Sequence, residues 1–304
     1  MLDDLLPRPR SVDELGGTIV WRSPLRVAVG ESWRPVVATF ADDLRVAVGW
    51  DVAIVGEHDD AEIVIRLDDG VGPEGFRLRV DRFATIEASA PAGVSYALIV
   101  LRQLGPAAFW SEQRHTVDDV AIARVAIADE PTYQWQGIHL DVSRHFFDVA
   151  TVTRLIDLAA AHRLNRLHLH LNDDQGWRVD VPAWPRLREI GSWRSSSPIG
   201  HESDGLDDGV AHGGCYSARD LERIRDHAAR RFVQVVPEID LPGHAQAVLA
   251  AYGELGNGST PVEVWTRWGI SEHVLNPGPA ALDFAEEVVL FVAGLFPALS
   301  LIHI

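Results

Sequence analysis

Apolar side chains recur at Val36, Val37, Phe40, Leu44 and Val48, and again at Val94, Leu98, Leu101 and Leu104. That spacing puts each set on one face of a helix. Between the two sets, residues 62–67 alternate polar and apolar side chains, Phe76–Val80 does the same, and residues 85–88 follow after a short turn. A period of two marks half-buried strands, and the last two runs predict a hairpin. The expectation for residues 1–128 is a small α+β domain, with helices packed on an open sheet.

The pattern changes after Asp129-Glu130-Pro131, where proline biases its predecessor away from helix. From residue 129 to 304 strand-like and helix-like runs alternate. Gly137–Asp141, residues 166–171, Gln234–Glu238 and residues 301–304 read as strands. Residues 149–162, 218–231 and 280–296 read as helices, with Ser217 as a plausible N-cap of the second. Repeated βα units predict a parallel sheet, open or closed as a barrel. A complete eight-fold barrel takes about 250 residues, so this stretch has room for half of one, about four strands.

The chain has 304 residues, 47% hydrophobic and 23% charged, with a formal net charge of −17. So acidic a surface repels phosphate backbones and anionic bilayers, which argues against a nucleic-acid or membrane partner. The single cysteine, Cys215, forms no internal disulfide, and with no adjoining base or ligand it reads as a small buried thiol. Met1-Leu2-Asp3-Asp4-Leu5 lacks a basic n-region and an apolar run, so a cytoplasmic location is the expectation. The apolar stretch at residues 288–304 is interrupted by Gly294 and Pro297, which favours a buried helix and strand over a membrane span.

In parallel α/β sheets the working edge is the one formed by the C-terminal strand ends. Three successive strand ends carry acids here: Asp141, then Asp173-Asp174, then Glu238 and Asp240. Unpaired buried carboxylates are costly, so three acidic ends together mark a site. Taken singly, any of these acids has the plainer reading of an ion pair or a loop cap.

Four segments resemble one family in order and length. They are residues 135–147, with Gly137-Ile138-His139-Leu140-Asp141-Val142-Ser143-Arg144-His145 at their centre, residues 165–178, ending His170-Leu171-Asn172-Asp173-Asp174-Gln175-Gly176-Trp177-Arg178, then Gly213-Gly214-Cys215-Tyr216-Ser217, then Val236-Pro237-Glu238-Ile239-Asp240-Leu241-Pro242-Gly243-His244. They resemble the first barrel strands of family 20 glycoside hydrolases, the β-N-acetylhexosaminidases. The opening Leu6-Pro7-Arg8-Pro9 and the α+β pattern resemble the accessory domain that precedes that barrel. The resemblance implies an α/β fold: a (β/α)8 TIM barrel, of which about four strands are present, behind an α+β domain. It implies exo-acting release of terminal N-acetylglucosamine or N-acetylgalactosamine by a substrate-assisted retaining mechanism, an exception to the two-carboxylate scheme. No metal or other cofactor is implied, and the partners are N-acetylhexosamine-containing glycans.

Carried over by position, Arg144 resembles the arginine that grips sugar hydroxyls, a task suited to its rigid fork. Asp173 resembles the supporting acid at the second strand, while Asp240 and His244 resemble the partners that back a catalytic aspartate. Glu238 is a weaker candidate that reads as facing the barrel interior and pairing with a base. Gln136 stands where many members carry arginine, and Cys215 where an aromatic is usual. The family's Gly-Gly-Asp-Glu, which supplies the catalytic aspartate and glutamic acid, is absent: Leu301-Ile302-His303-Ile304 stands immediately before where it would begin. The chain is therefore expected to be the N-terminal part of such an enzyme, inactive by itself.

Two other readings compete. His168 and His170, two apart on a strand with Asp173 beyond, have the look of metal ligands in a metal-dependent hydrolase, although histidines hydrogen-bonded within the core are the plainer account. The ten tryptophans suit a non-catalytic carbohydrate-binding protein, and Trp177, Trp184 and Trp193 lie in the long loop after the second strand. A large aromatic in a loop more often seals the core beneath it.

Overall fold

A computed structural model describes residues 4–201, 204–258 and 261–297. The chain divides into two compact units. One runs through Gln136 and takes in Ala160–Leu164 and Arg230–Phe232, while the other contains Gly137–Ala159, Asn165–Ala229 and the residues from Val233 on.

The first unit is built on a seven-stranded sheet: β1 (Ser11–Arg22), β2 (Leu25–Ala28), β3 (Val52–Val55), β4 (Ile63–Leu67), β5 (Phe76–Val80), β6 (Ala84–Ala88) and β7 (Asp119–Asp129). Their order across the sheet is β1-β7-β5-β6-β4-β2-β3. The expected hairpin is β5–β6, antiparallel with Leu78 opposite Ile86. Both expected helices form, α1 at Arg34–Val48 and α2 at Pro91–Leu104. Each has proline in its first turn, where its missing N–H costs no hydrogen bond. Helix α1 stops at Gly49, whose φ of 71° lets its N–H reach back to the Arg45 carbonyl at 3.1 Å. Val37, Phe40 and Leu44 of α1 share one core with Val94, Leu98 and Leu101 of α2 and with Ile63, Ile65, Leu78 and Ile86 of the sheet.

Strands β1, β2, β3 and β7 were not legible as individual elements. Strand β7 alternates with alanine rather than with charge, so its buried Val120, Ile122, Val125 and Ile127 give a muted period. Strand β1 is largely solvent-exposed, and its register with β7 slips between Glu14 and Thr18. Pairing with β7 defines it, not its own pattern.

The second unit holds a parallel sheet of β8 (Gly137–Asp141), β9 (Arg166–His170) and β16 (Gln234–Glu238), in the order β16-β9-β8. Between β9 and β16 lie three antiparallel pairs of two-residue strands: β10 (Asn172–Asp173) with β11 (Gly176–Trp177), β12 (Trp193–Arg194) with β15 (His212–Gly213), and β13 (Pro198–Ile199) with β14 (Leu206–Asp207). The helices are α3 (Val149–Ala161), α4 (Ala218–Arg230), α5 (Gln246–Ala251) and α6 (Pro279–Leu295). Helix α4 starts where expected. The Ser217 hydroxyl accepts from the Asp220 N–H at 3.2 Å, and the Asp220 carboxylate accepts in turn from the Ser217 N–H at 3.1 Å, a capping box with Asp as the acid. Val152 and Ile156 of α3, Leu221 and Ile224 of α4, and Phe284, Val288 and Val292 of α6 are buried, each set spaced by one helical turn.

The fourth strand, expected at residues 301–304, lies outside the described residues. Among the described residues no helix is long and apolar enough to cross a membrane. The fold is α/β, a small N-terminal domain plus a partial, barrel-like βα unit.

Candidate active site

The three parallel strands end in register. Asp141 pairs with His170, and His170 pairs with Glu238. Because side chains alternate along a strand, His139, His168 and His170 fall on the same face as Asp141 and Glu238. Leu167 and Leu169 point the other way into the core. The acids of the second βα unit lie just beyond β9, in the β10–β11 hairpin.

Asp173 is the hub of this face. Its side chain is 1% exposed. One oxygen, Oδ2, meets the Arg144 guanidinium and accepts from His170 Nε2 at 2.9 Å. The other, Oδ1, accepts from His244 Nδ1 at 3.0 Å and from the Asp174 N–H at 2.7 Å. Burial alone would raise its pKa, but these donors, His170 foremost, hold the carboxyl below the ordinary range. Arg144 is 37% exposed and is steadied on its other side by Asp141, Nη1 to Oδ2 at 2.8 Å. Asp141 in turn accepts from the Ser143 and Arg144 N–H groups at 3.0 and 2.9 Å, so the loop after β8 is wound on this carboxylate. The guanidinium is thus aimed by two acids while a third of it stays open to solvent.

Asp240 and His244 arrive together because Asn172 clamps their loop. Its amide donates to the Asp240 and His244 carbonyls at 2.9 and 3.4 Å and accepts from the Asp240 N–H at 2.8 Å. His244 adopts a φ of 51°, a left-handed conformation uncommon for a non-glycine residue and retained where surrounding bonds over-determine it. It does not cap α5. The first N–H of that helix, Gln246, instead donates to Asp174 Oδ1 at 3.0 Å. Burial and then the neighbouring Glu238 charge push the Asp240 carboxyl above its usual range. Glu238 moves down despite burial, because His170 and His168 lie against it, Nδ1 and Nε2 at 2.8 and 2.7 Å from Oε2. It pairs with bases inside the strand face, as expected.

Among the described residues, three triads bring ligand-type atoms within 4.8 Å of one another: His139–His170–Glu238, His170–Asp173–Asp240 and Asp173–Asp174–His244. Several of their atoms already have partners. His170 has a carboxylate oxygen against each ring nitrogen, so neither nitrogen is free to ligate. His244 Nδ1 is taken by Asp173, and the Asp174 oxygens accept from the Gln246 and Ser271 N–H groups at 3.0 and 3.1 Å. Asp174 is a buried tie between loops, and His168 faces Glu238 rather than Asp173.

The tryptophans of the long loop divide. Trp177 is fully buried, its Nε1–H on the Val179 carbonyl at 2.5 Å. Trp184 packs edge-on against Tyr252 and Phe284, with ring centroids 4.9 Å apart in both cases. Trp193 is half-exposed. Cys215 is partly buried rather than fully so, and burial pushes its thiol up to about 12, well away from a reactive thiolate.

His212 has an environment of a different kind. Its Nε2 accepts from the Phe146 N–H at 2.9 Å, with the His145 ring 4.3 Å away and Arg194 and Arg178 nearby. Burial first, then those cations, lower its pKa to about 4. The folded state keeps it neutral, so its contribution is complete above pH 6.5 and is lost as pH falls from 6.5 to about 4. Chemical denaturation at pH 7 and pH 4.5 is expected to show a loss assignable to this residue of about 1 kcal/mol, discounted for the water that reaches the ring. His212→Gln should flatten that part of the profile. An unchanged profile would remove His212 as its source.

Residue types on a parallel-strand edge do not by themselves choose a reaction, but the order of these segments does choose a family. Residues 133–304 match the glycosyl hydrolase family 20 catalytic domain and residues 3–130 match domain 2 of the same family. The chain belongs to glycoside hydrolase family 20. It is 32% identical to a Porphyromonas gingivalis β-hexosaminidase, over 97% of this chain and 37% of that protein. It is also 32% identical to a Cellulomonas fimi β-N-acetylhexosaminidase, over 99% of this chain and 58% of that one. A mutant Streptomyces plicatus β-hexosaminidase in complex with product, GlcNAc, superposes with a TM-score of 0.86 at 36% identity, covering 98% of this chain and 58% of that chain. The chain thus spans between about a third and three-fifths of the length of these relatives.

Proposed function

We propose that residues 1–128 are the accessory domain, and residues 129–304 the first half of the catalytic domain, of an exo-acting β-N-acetylhexosaminidase that releases terminal N-acetylglucosamine or N-acetylgalactosamine. One observation carries the reading. Arg144, about a third open to solvent, is aimed by Asp141 and Asp173, while the same Asp173 holds His244. A fixed, planar, doubly anchored guanidinium presents paired donors to vicinal hydroxyls of a sugar ring. The Asp173–His244 pair and Asp240 form the polar wall beside it. In the substrate-assisted route the 2-acetamido carbonyl attacks its own anomeric carbon, an aspartate orients that group, and a glutamic acid protonates the leaving oxygen. Arg144, Asp173, Asp240 and His244 are the binding and supporting residues of that route. The Asp-Glu pair that carries out its chemistry belongs to a Gly-Gly-Asp-Glu segment that this sequence does not contain.

The purified 304-residue chain is therefore expected to bind N-acetylglucosamine saturably, in the millimolar range or tighter, by calorimetry. It is also expected to show no detectable hydrolysis of a chromogenic N-acetylglucosaminide. Turnover would place proton donation in another carboxyl group, and absence of binding to the folded chain would refute the sugar-site reading.

A further inference from the structure

His170 lies between two acids on the strand face and takes no part in the scheme above. Its side chain is 5% exposed, with Nε2 at 2.9 Å from Asp173 Oδ2 and Nδ1 at 2.8 Å from Glu238 Oε2. A neutral imidazole has one N–H and one lone pair, and a lone pair set against a carboxylate is repelled. Nε2 is hydrogen-bonded to Asp173, while Nδ1 is in ion-pair contact with Glu238 Oε2, an oxygen with no hydrogen bond of its own, and two acids so placed favour a proton on each nitrogen. From this geometry we infer that His170 is a standing imidazolium, a positioning residue that locks Asp173 so that its Oδ2 faces Arg144 and its Oδ1 faces His244. The inference rests on the sugar-site reading for its role but not for the charge itself.

The surroundings of His170 agree. His139 and Asp141 face it from β8, His168 from its own strand, Asp173 from the following hairpin, and Glu238 and Asp240 from β16 and the loop beyond. Four of these six neighbours are carboxyl groups. Burial by itself would strip the charge, yet the Asp173 hydrogen bond and the Glu238 field raise the His170 pKa to about 9. An imidazolium spans this gap as one compact buried cation with a donor on each side of the ring. Asp173 is reached by three basic side chains and by the Asp174 N–H, and His170 is the most buried of the three bases.

Imidazole nitrogen shifts, read by long-range proton–nitrogen NMR on the histidine-labelled 304-residue chain, test the charge. The signals missing from His170→Gln identify His170. Both of its nitrogens are expected at protonated positions through pH 8, turning over near pH 9. A neutral tautomer at pH 7 would overturn the inference.

The positioning role has two readouts. The Nδ1–H signal of His244, held by Asp173 in the parent chain, is expected to broaden or vanish in folded His170→Gln. The dissociation constant for N-acetylglucosamine is expected to be flat below pH 8 in the parent and to weaken as pH rises through about 9. In His170→Gln it should be about tenfold weaker and lose that dependence. An unchanged His244 signal in the folded variant refutes the positioning role. If the parent chain binds no sugar, the functional reading falls while the NMR arms still decide the state and role of His170.

Discussion

Arg178→Met is expected to lower the thermal midpoint of the unit that carries it by about 10 °C or more, the largest stability effect of any single polar side chain described here. Arg178 is fully buried. Its Nε donates to the Val142 carbonyl at 2.9 Å and its Nη1 to the Ser192 and Gly214 carbonyls at 2.6 and 3.1 Å, while Nη2 reaches the Ser143 carbonyl. One guanidinium therefore satisfies four backbone acceptors from three separate loops. Gly176 is required beside it, because a Cβ there would collide with the guanidinium. Burial, then the nearby Arg194, lowers its pKa to about 10, which still leaves it charged at neutral pH.

Removing the head group strands those carbonyls, each at a cost of about 1–3 kcal/mol when buried. A total of about 4 kcal/mol, at about 2–4 °C per kcal/mol for a unit of this size, gives the stated shift. Lysine brings a point charge without the fork, so Arg178→Lys should recover little of the loss. Differential scanning calorimetry or tryptophan fluorescence, with Trp177 as a buried reporter, makes the comparison. A drop of under 3 °C would mean that the loops are held by other contacts.

The second large effect is on the site. Asp173→Asn keeps the shape and removes the charge. Arg144 loses one of its two anchoring acids, and His170 and His244 lose the carboxylate that both donate to. Breaking a buried ion pair from one side costs about 3–5 kcal/mol. Part of that cost falls on stability, and the misaligned guanidinium is expected to weaken N-acetylglucosamine binding by at least tenfold in the fraction that folds. Asp174→Asn is the informative control. Asp174 accepts the backbone N–H groups of Gln246 and Ser271 and lies 3.9 Å from His244 Nδ1 without touching Arg144, so it should lower the melting temperature with a smaller effect on sugar affinity. Equal affinity losses in the two variants would show that the sugar site senses loop stability rather than Asp173 itself.

Much of the site was legible before the fold. Arg144, Asp173 and His244, all singled out in the sequence, lie together, Asp240 sits in the loop beside them, and Glu238 pairs with bases. His170 and Asn172 lay inside a quoted motif, yet their residue types gave no sign of their roles. A histidine two places along a strand from another looks the same whether it ligates a metal, fills a core or bridges two acids. Only the Asp173 and Glu238 oxygens on opposite sides of the ring distinguish these. The same holds for Arg178, which by type is a candidate sugar ligand and by position is a bolt between loops. His244 is the converse case. Read alone it also fits a cap on the following alanine-rich helix, and the left-handed backbone and the Gln246–Asp174 bond remove that option.

The amino-acid order by itself determined the βα alternation from β8 to α6, the two helices and the hairpin before it, and the family. Those features follow from local periodicity and contiguous motifs, which a chain carries whether folded or not. Tertiary structure alone decided strands β1 and β7, which pair with each other across a hundred residues, β7 also pairing with β5. It also decided which acids gather around Arg144 and which tie loops together. A side chain's charge, partners and exposure are set by groups distant in sequence, and the free energy that fixes them comes from burial and desolvation that exist only once the strands lie side by side.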